Sequence, residues 1–179
     1  FKSSVTNIAP QIDDRGIDEI YIDLGGLPED TRMLAQRIKE AVRTATGLSC
    51  SIGVAANKLL AKICSDLDKP DGLTVLAVDD IERRIWPLPV RRINGIGPKA
   101  GGRLAALEIH SIGDLASADI SLLQRYFGRR YASWLYDVAR GIDERPLVIS
   151  SEPKSISRET TFERDLHPRT DREILSEVF

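Results

Sequence analysis

The spacing of apolar and polar positions changes period several times along the chain. Residues 1–10 read as the tail of a helix that ends at Pro10, and Asp13-Asp14-Arg15-Gly16 punctuates after it. From Gly16 to Leu24 the run Gly-Ile-Asp-Glu-Ile-Tyr-Ile-Asp-Leu alternates in the way of a pleated, half-buried strand, and Gly25–Pro28 closes it. Asp30 or Thr31 can cap a helix that runs to about Thr46, with Met33, Leu34, Ile38, Ala41 and Val42 on one face and Gly47 as the stop. Leu48–Val54 predicts a second strand, whose small residues would let a neighbour or a ligand approach the backbone closely. A helix over Lys58–Leu67 follows. Leu59, Leu60, Ile63 and Leu67 form its apolar face, while Lys58, Lys62 and Asp66 recur every four residues on another. Asp68-Lys69-Pro70-Asp71-Gly72 is a turn signal, and Leu73–Leu76 a short third strand. This order of strands and helices implies a small sheet covered on one face by two helices.

The pattern shifts near Val78. From there to about Gly141 the chain predicts short helices and no strand: Asp80–Trp86, Val90–Asn94, Pro98–Leu107, one starting at Ser111, Asp119–Phe127 and Arg129–Arg140. Leu104, Leu107, Ile112, Leu115, Leu122, Leu123, Phe127, Trp134 and Leu135 are its expected core. Glu144–Pro153 reads as an extended linker, Ser155–Asp165 as a strand, and Asp171–Phe179 as the start of a helix. That last stretch offers too little apolar surface to fold alone. The expected class is α+β, with three parts: residues 1–77, an all-α part over 78–145, and 146–179 as linker and opening of a further domain.

Composition narrows the picture only slightly. A chain of 179 residues has room for one large or two small domains. The net charge of −2 argues neither for nor against a nucleic-acid partner. Cys50 and Cys64 are the only cysteines and form no CxxC or Cys/His cluster, so a structural zinc site is not expected and a reduced, cytoplasmic compartment is the simplest expectation. No apolar run is long enough to span a bilayer, and no membrane role is expected. Because the sequence opens at Phe1 without methionine and stops within an amphipathic pattern, it is expected to be a piece of a longer protein.

Two stretches carry candidate chemistry. Asp18 and Glu19 open an apolar run, where two like charges are costly unless compensated. A divalent cation is a common compensation, and Mg²⁺ prefers carboxylate oxygens; a solvated strand start is the competing reading, and the pair alone does not decide between them. The second stretch is Arg92-Ile93-Asn94-Gly95-Ile96-Gly97-Pro98-Lys99, a helix, a Gly-x-Gly hairpin and a helix beginning at Pro98. Its glycines free backbone N–H groups to turn outward, Pro98 loses no needed donor, and Lys99 adds positive charge beside a helix N-terminus suited to phosphate. A sugar–phosphate backbone gripped in this way is positioned without base readout. An ordinary tight interhelical turn is the alternative. Arg83, Arg84, Arg91, Arg92, Lys99, Arg103, Arg125, Arg129, Arg130 and Arg140 outnumber the acids of this part, the electrostatic footprint of a nucleic-acid surface, although a solvated helical face looks similar.

The hairpin resembles the helix-hairpin-helix motif of DNA repair proteins and polymerases. The longer run from Ser51 through Lys58-Leu59-Leu60-Ala61-Lys62 to Lys69-Pro70-Asp71-Gly72 resembles the palm of Y-family DNA polymerases, with the bacterial DNA polymerase IV branch nearest. The opening stretch is similar to that family's Ser-x-Asp-Glu-Ala-Tyr-x-Asp element, and Ser155–Phe162 to the start of its little finger. The resemblance covers essentially the whole chain, in the family's order. It implies a partial palm over 1–77, a helix-hairpin-helix thumb over 78–145 and the start of a little finger after 146. It also implies translesion DNA synthesis: attack of a primer 3′-hydroxyl on the α-phosphate of a deoxynucleoside triphosphate, with two Mg²⁺ ions as cofactors. Asp18 is implied as a metal ligand, Glu19 as a metal-site acid beside the attacking hydroxyl, Lys69 as the triphosphate contact, and Gly95, Ile96, Gly97 and Lys99 as the DNA contact. Lys62 would add positive potential nearby, and Asp23 is expected to be structural. The implied partners are primer–template DNA and a dNTP, with a sliding clamp allowed through sequence beyond Phe179.

Two positions depart from the family pattern: Gly16 stands where Ser is usual, and Ile20 where Ala is usual, adding bulk beside the carboxylates. The family's first strand, with another metal-binding Asp, and its fingers would precede Phe1, so this chain alone is not expected to extend a primer. A non-catalytic DNA-binding module would explain the hairpin but not the Asp18–Glu19 and Lys58–Gly72 runs. A nucleotidyl cyclase would share palm-like architecture but leaves the helical part unexplained.

Overall fold

A computed structural model describes residues 1–149, 161–167 and 169–176. The chain divides into two compact units, Phe1–Ile149 and Ser150–Phe179.

In the first unit a short helix, α1 (Lys2–Thr6), precedes an antiparallel pair, β1 (Ile12–Asp14) and β2 (Ile20–Ile22), in which Asp13 lies opposite Tyr21. This corrects the expected single strand over 16–24. Asp13 and Asp14 are not punctuation but strand residues. Acids disfavour strands by propensity, yet the Asp13 carboxylate is buried against the Lys58 ammonium, and that tertiary contact overrides the local preference. Residues 15–19 connect the two strands.

Helix α2 (Thr31–Thr46) begins where the Asp30 side chain accepts the N–H groups of Arg32 and Met33, and it ends at Gly47 in the left-handed conformation. Leu34, Ala35, Ile38 and Val42 are buried; Ile38 and Val42 pack with Val5 of α1 and with Ile20, Ile22 and Ile52. Met33 does not belong to that face and is 61% exposed, because the buried stripe starts one residue later at Leu34.

Strands β3 (Ile52–Val54) and β4 (Leu73–Val75) pair in parallel, Ile52 opposite Leu73, and are joined by α3 (Lys58–Leu67), which Asn57 caps through the Leu60 N–H. The expected one sheet is thus two separate two-stranded sheets among the described residues. Gly53 explains the close packing of α3 on β3: a Cβ there would lie 2.1 Å from the Ala61 carbonyl oxygen and 2.3 Å from the Ser65 nitrogen.

The helical part comprises α4 (Ile81–Arg84), α5 (Pro98–Ala105), α6 (Ile112–Ser117), α7 (Ile120–Phe127) and α8 (Arg129–Ala139). Helices α4 and α5 stop two residues short of the expected Trp86 and Leu107, and 90–92 form a 3₁₀ turn. Ser111 and Asp114 close a capping box on α6. No strand intervenes among the described residues of this part, only a single bridge between Pro89 and Ser111. Leu59, Leu60, Ile63, Cys64 and Leu76 join Leu104, Ile112, Leu115, Leu123 and Leu135 in one apolar cluster, so α3 belongs at once to the β3–β4 layer and to the helical core. Burying such a side chain stabilises by on the order of 2 kcal/mol. Leu107, Phe127 and Trp134 pack on the cluster partly buried, whereas Leu122 stands outside it.

In the second unit α9 (Arg172–Ser176) is preceded by Asp171, whose carboxylate receives both terminal nitrogens of Arg164 at 2.9 and 2.7 Å. The strand expected over 155–165 is absent at 161–165; its residues 155–160 lie outside the described residues, as do 177–179 of the expected helix.

Candidate functional site

The acid pair sits at the end of the β1–β2 hairpin. Asp18 is exposed in the connection and Glu19, half-buried, immediately precedes β2, its carbonyl accepting the Arg15 N–H at 3.0 Å. The acids therefore lie beside the strand rather than within an apolar one. What compensates Glu19 is the Lys62 ammonium, one turn along α3 from Lys58, which donates to its carboxylate. Lys69, in the turn after α3, pairs with Asp66 at 2.6 Å. Asp66 holds the Lys69 ammonium above the usual lysine range, with smaller contributions from the charges of Glu19 and Asp18. Lys62 and Asp66, one turn apart on α3, thus hold Glu19 and Lys69 on one face of the helix. Burial pushes the Tyr21 phenol up to about 12, and the neighbouring Glu19 carboxylate adds to the shift.

No group of three or more His, Cys, Asp or Glu side chains that could hold a metal is present among the described residues. The donor set still suits Mg²⁺ in its usual mode, one or two carboxylates completed by substrate phosphates and water. Asp18 is open to such an ion; Glu19 would have to share its charge with Lys62.

Lys39 carries a role that the sequence did not suggest. Its ammonium donates to the carbonyls of Cys50 (2.6 Å) and Asp71 (2.7 Å) and to the Asp71 carboxylate (2.6 Å), tying α2 to the entry of β3 and to the turn that presents Lys69. Lys side chains at partly buried helix positions are ordinarily solvated, and only the tertiary fold brings these acceptors together. Asp23 accepts the Gly25 N–H at 2.8 Å and shapes the exit of β2.

The Gly-x-Gly hairpin is built from its two isoleucines. Ile93 and Ile96 are 1% and 4% exposed, and the Ile96 N–H bonds back to the Ile93 carbonyl at 3.0 Å. Ile96 is therefore an interior anchor, and its side chain does not face solvent. Gly95 adopts φ +107°, and its carbonyl accepts the Tyr131 hydroxyl at 3.1 Å. Tyr131 and Trp134 stack at 5.0 Å on the same side. Gly97 is the N-cap of α5, Pro98 its first residue, and Lys99 is exposed on its first turn. The basic residues divide into two groups. Arg84 donates to the Val75 carbonyl and Arg140 to the Tyr136 and Ala116 carbonyls, so these two serve the fold, while Arg83, exposed, pairs with Asp80 at 2.8 Å. Arg103 lies over the Phe127 ring at 4.5 Å, while Arg91, Arg92 and Lys99 stand exposed around the hairpin.

Comparison with known proteins finds two family descriptions on this chain. Residues 2–66 match the impB/mucB/samB family, and residues 88–142 match "DNApol eta/Rev1, HhH motif". Curated relatives named DNA polymerase IV include one from Alkalilimnicola ehrlichii, 40% identical over 161 residues, covering 88% of this chain and 45% of the relative. One from Methanoculleus marisnigri is 44% identical over 160 residues, covering 88% and 44%. One from Streptomyces coelicolor is 36% identical over 167 residues, covering 90% and 35%. The chain spans less than half the length of these relatives.

Proposed function

We propose that this chain, which belongs to the Y-family of DNA polymerases, carries the carboxylate-bearing palm portion and the DNA-gripping thumb of a translesion polymerase of the DNA polymerase IV kind. The observation that carries the reading is that Lys62 pairs with Glu19 and Asp66, one turn further along α3, pairs with Lys69, so one helix face meets both the acid-bearing connection and the Lys69 turn. The domain division follows: a partial palm over 1–77, the thumb over 78–145, and a linker into a little finger after 146.

The proposed reaction forms a bond between the primer 3′-oxygen and the α-phosphorus of a dNTP, breaks the bond to the bridging oxygen, and releases pyrophosphate with that electron pair; the hydroxyl proton leaves to solvent. Asp18 and Glu19 would hold Mg²⁺, which supplies charge stabilisation at the transferring phosphoryl group. Glu19, kept in place by Lys62, lies beside the attacking hydroxyl. Lys69 meets the triphosphate as a point charge, exchanging its contact with Asp66 for phosphate oxygens. The free N–H groups at the start of α5, with Lys99, hold a backbone phosphate of the primer–template duplex, and Gly97 leaves room for it.

A DNA-binding module without catalysis, using only the helix-hairpin-helix part that matches residues 88–142, is the second reading. Two measurements test the readings, and the second separates them. Anisotropy with a labelled primer–template tests the grip: binding without sequence preference, weakening linearly in log–log salt plots, is expected of either. Primer extension by the protein that carries this segment tests the chemistry. Extension supports the polymerase reading, and DNA binding with no extension selects the second.

A further inference from the structure

One buried ion pair in this unit has no part in the chemistry described above. The Asp13 and Lys58 side chains are 2% and 6% exposed, with Lys58 Nζ 3.2 Å from Asp13 Oδ2. The pair is unusual in what else it touches. Asp13 Oδ2 also accepts the Val148 N–H at 3.1 Å, and Lys58 Nζ donates to the Pro146 carbonyl at 2.6 Å. Each charge therefore grips the strap, the segment leaving the helical part, through the backbone polarity it requires: the acid takes an N–H, the amine a carbonyl.

The neighbours of Lys58 extend the grip. Asn57 Nδ2 donates to the Gly141 carbonyl at 2.7 Å, and the Leu59 N–H donates to Asp143 Oδ2 at 3.1 Å, with Arg145 forked onto the same carboxylate at 2.6 and 2.8 Å. Three consecutive residues at the start of α3 thus fasten the strap at residues 141, 143 and 146. Asp13 in turn lies opposite Tyr21 in the β1–β2 ladder, and the Lys58 ammonium sits 5.8 Å from the Tyr21 ring. One turn further along α3, Lys62 meets Glu19.

We infer that Asp13 and Lys58 are positioning residues: a buried clamp that seats the strap on the base of the acid-bearing hairpin and sets that hairpin on α3, so that Glu19 falls opposite Lys62. Removing either charge leaves the other buried and the strap with an unmatched amide or carbonyl, so the strap detaches before the apolar core does. Arg15 touches the same carboxylate at 3.1 Å through its other oxygen, with its side chain 44% exposed, while among the described residues the strap is held at 146 and 148 by Lys58 and by Asp13 Oδ2. It is the natural control.

The positioning role rests on the polymerase reading; the clamp does not. Amide hydrogen exchange on the 179-residue chain reads the clamp directly. Lys58→Met should speed exchange at Val148 by about tenfold or more while Leu104 and Leu135 amides hold, and Arg15→Gln should leave Val148 unchanged. Should Lys58→Met fail to fold, Asp13→Asn, which keeps the volume, is read at the same amide with the same expectation. Unchanged protection of Val148, equal loss in Arg15→Gln, or an equal loss across the core amides would overturn the clamp. In the protein that carries this segment, Lys58→Met should lower kcat about tenfold or more with the KM for dNTP within about twofold, and Lys58→Arg should recover most of the loss. An equal rise in KM, or no recovery by Arg, would overturn positioning even with the clamp intact. A protein that extends no primer before mutation contradicts the polymerase reading and leaves the exchange result standing.

Discussion

The Trp134 ring lies against the open face of Gly95, so closely that a Cβ on Gly95 would fall 2.9 Å from its Cη2. The hairpin turn is thus seated on an aromatic floor, with the Tyr131 hydroxyl bonded to the Gly95 carbonyl. Gly95→Val should destabilise the chain by about 1–3 kcal/mol, from overpacking and a φ of +107°, and should weaken DNA binding as the turn is displaced. Gly97 offers the cleaner test: its φ is −76° and a Cβ there meets nothing within 4 Å. Gly97→Ala should cost under about 1 kcal/mol in urea unfolding yet lower duplex affinity by about tenfold, because the added methyl occupies the approach to the α5 N–H groups. Unchanged affinity in both variants would count against the hairpin as the DNA grip.

Lys69 and Lys39 should separate contact from support. Lys69→Met should raise the KM for dNTP about tenfold or more in steady-state incorporation assays, with little effect on stability, since Lys69 is exposed. Lys39→Met should do the reverse. It removes charged hydrogen bonds to Cys50 and Asp71, each worth about 1.5–3 kcal/mol, and should lower stability by at least the smaller figure in urea unfolding.

Acid should act on the hairpin base through Asp13. Burial pushes its carboxyl up, but the Val148 N–H, the Lys58 hydrogen bond and the charges of Arg15 and Lys58 outweigh this and hold it below the ordinary 3.8. A depressed carboxyl stabilises the folded state fully above its unfolded value, and that contribution fades as pH falls through the folded one. Thermal stability should therefore decline more steeply below pH 3.8 in the wild-type chain than in Asp13→Asn, which should already be weakened at pH 7. Parallel acid limbs in the two proteins would contradict this.

Much of this was legible in residue order. Helices α2 and α3 followed from their apolar stripes and caps, and the helical part from its punctuation by Gly and Pro. The Gly53 contact with α3 agrees with the small-residue reading of β3. That Asp18, Glu19 and Lys69 serve one site is an implication of the family resemblance alone, since a turn lysine after a helix is ordinarily solvated. What the sequence hid is long-range. β1 was missed because Asp13 becomes a strand residue only through Lys58, forty-five positions away. The tasks of Lys39, Tyr131 and Arg140 are likewise set by partners that only the folded chain brings near. Met33 was misplaced because one residue of phase separates the buried stripe from its edge.

The most direct test of the central claim is Glu19→Ala in the protein that carries this segment, measured by primer extension alongside duplex binding. Loss of extension with DNA affinity within about twofold of wild type is the predicted result, because Glu19 is proposed for the metal site and Gly95–Lys99, on a separate element, for the DNA grip. Extension at an undiminished rate would contradict it.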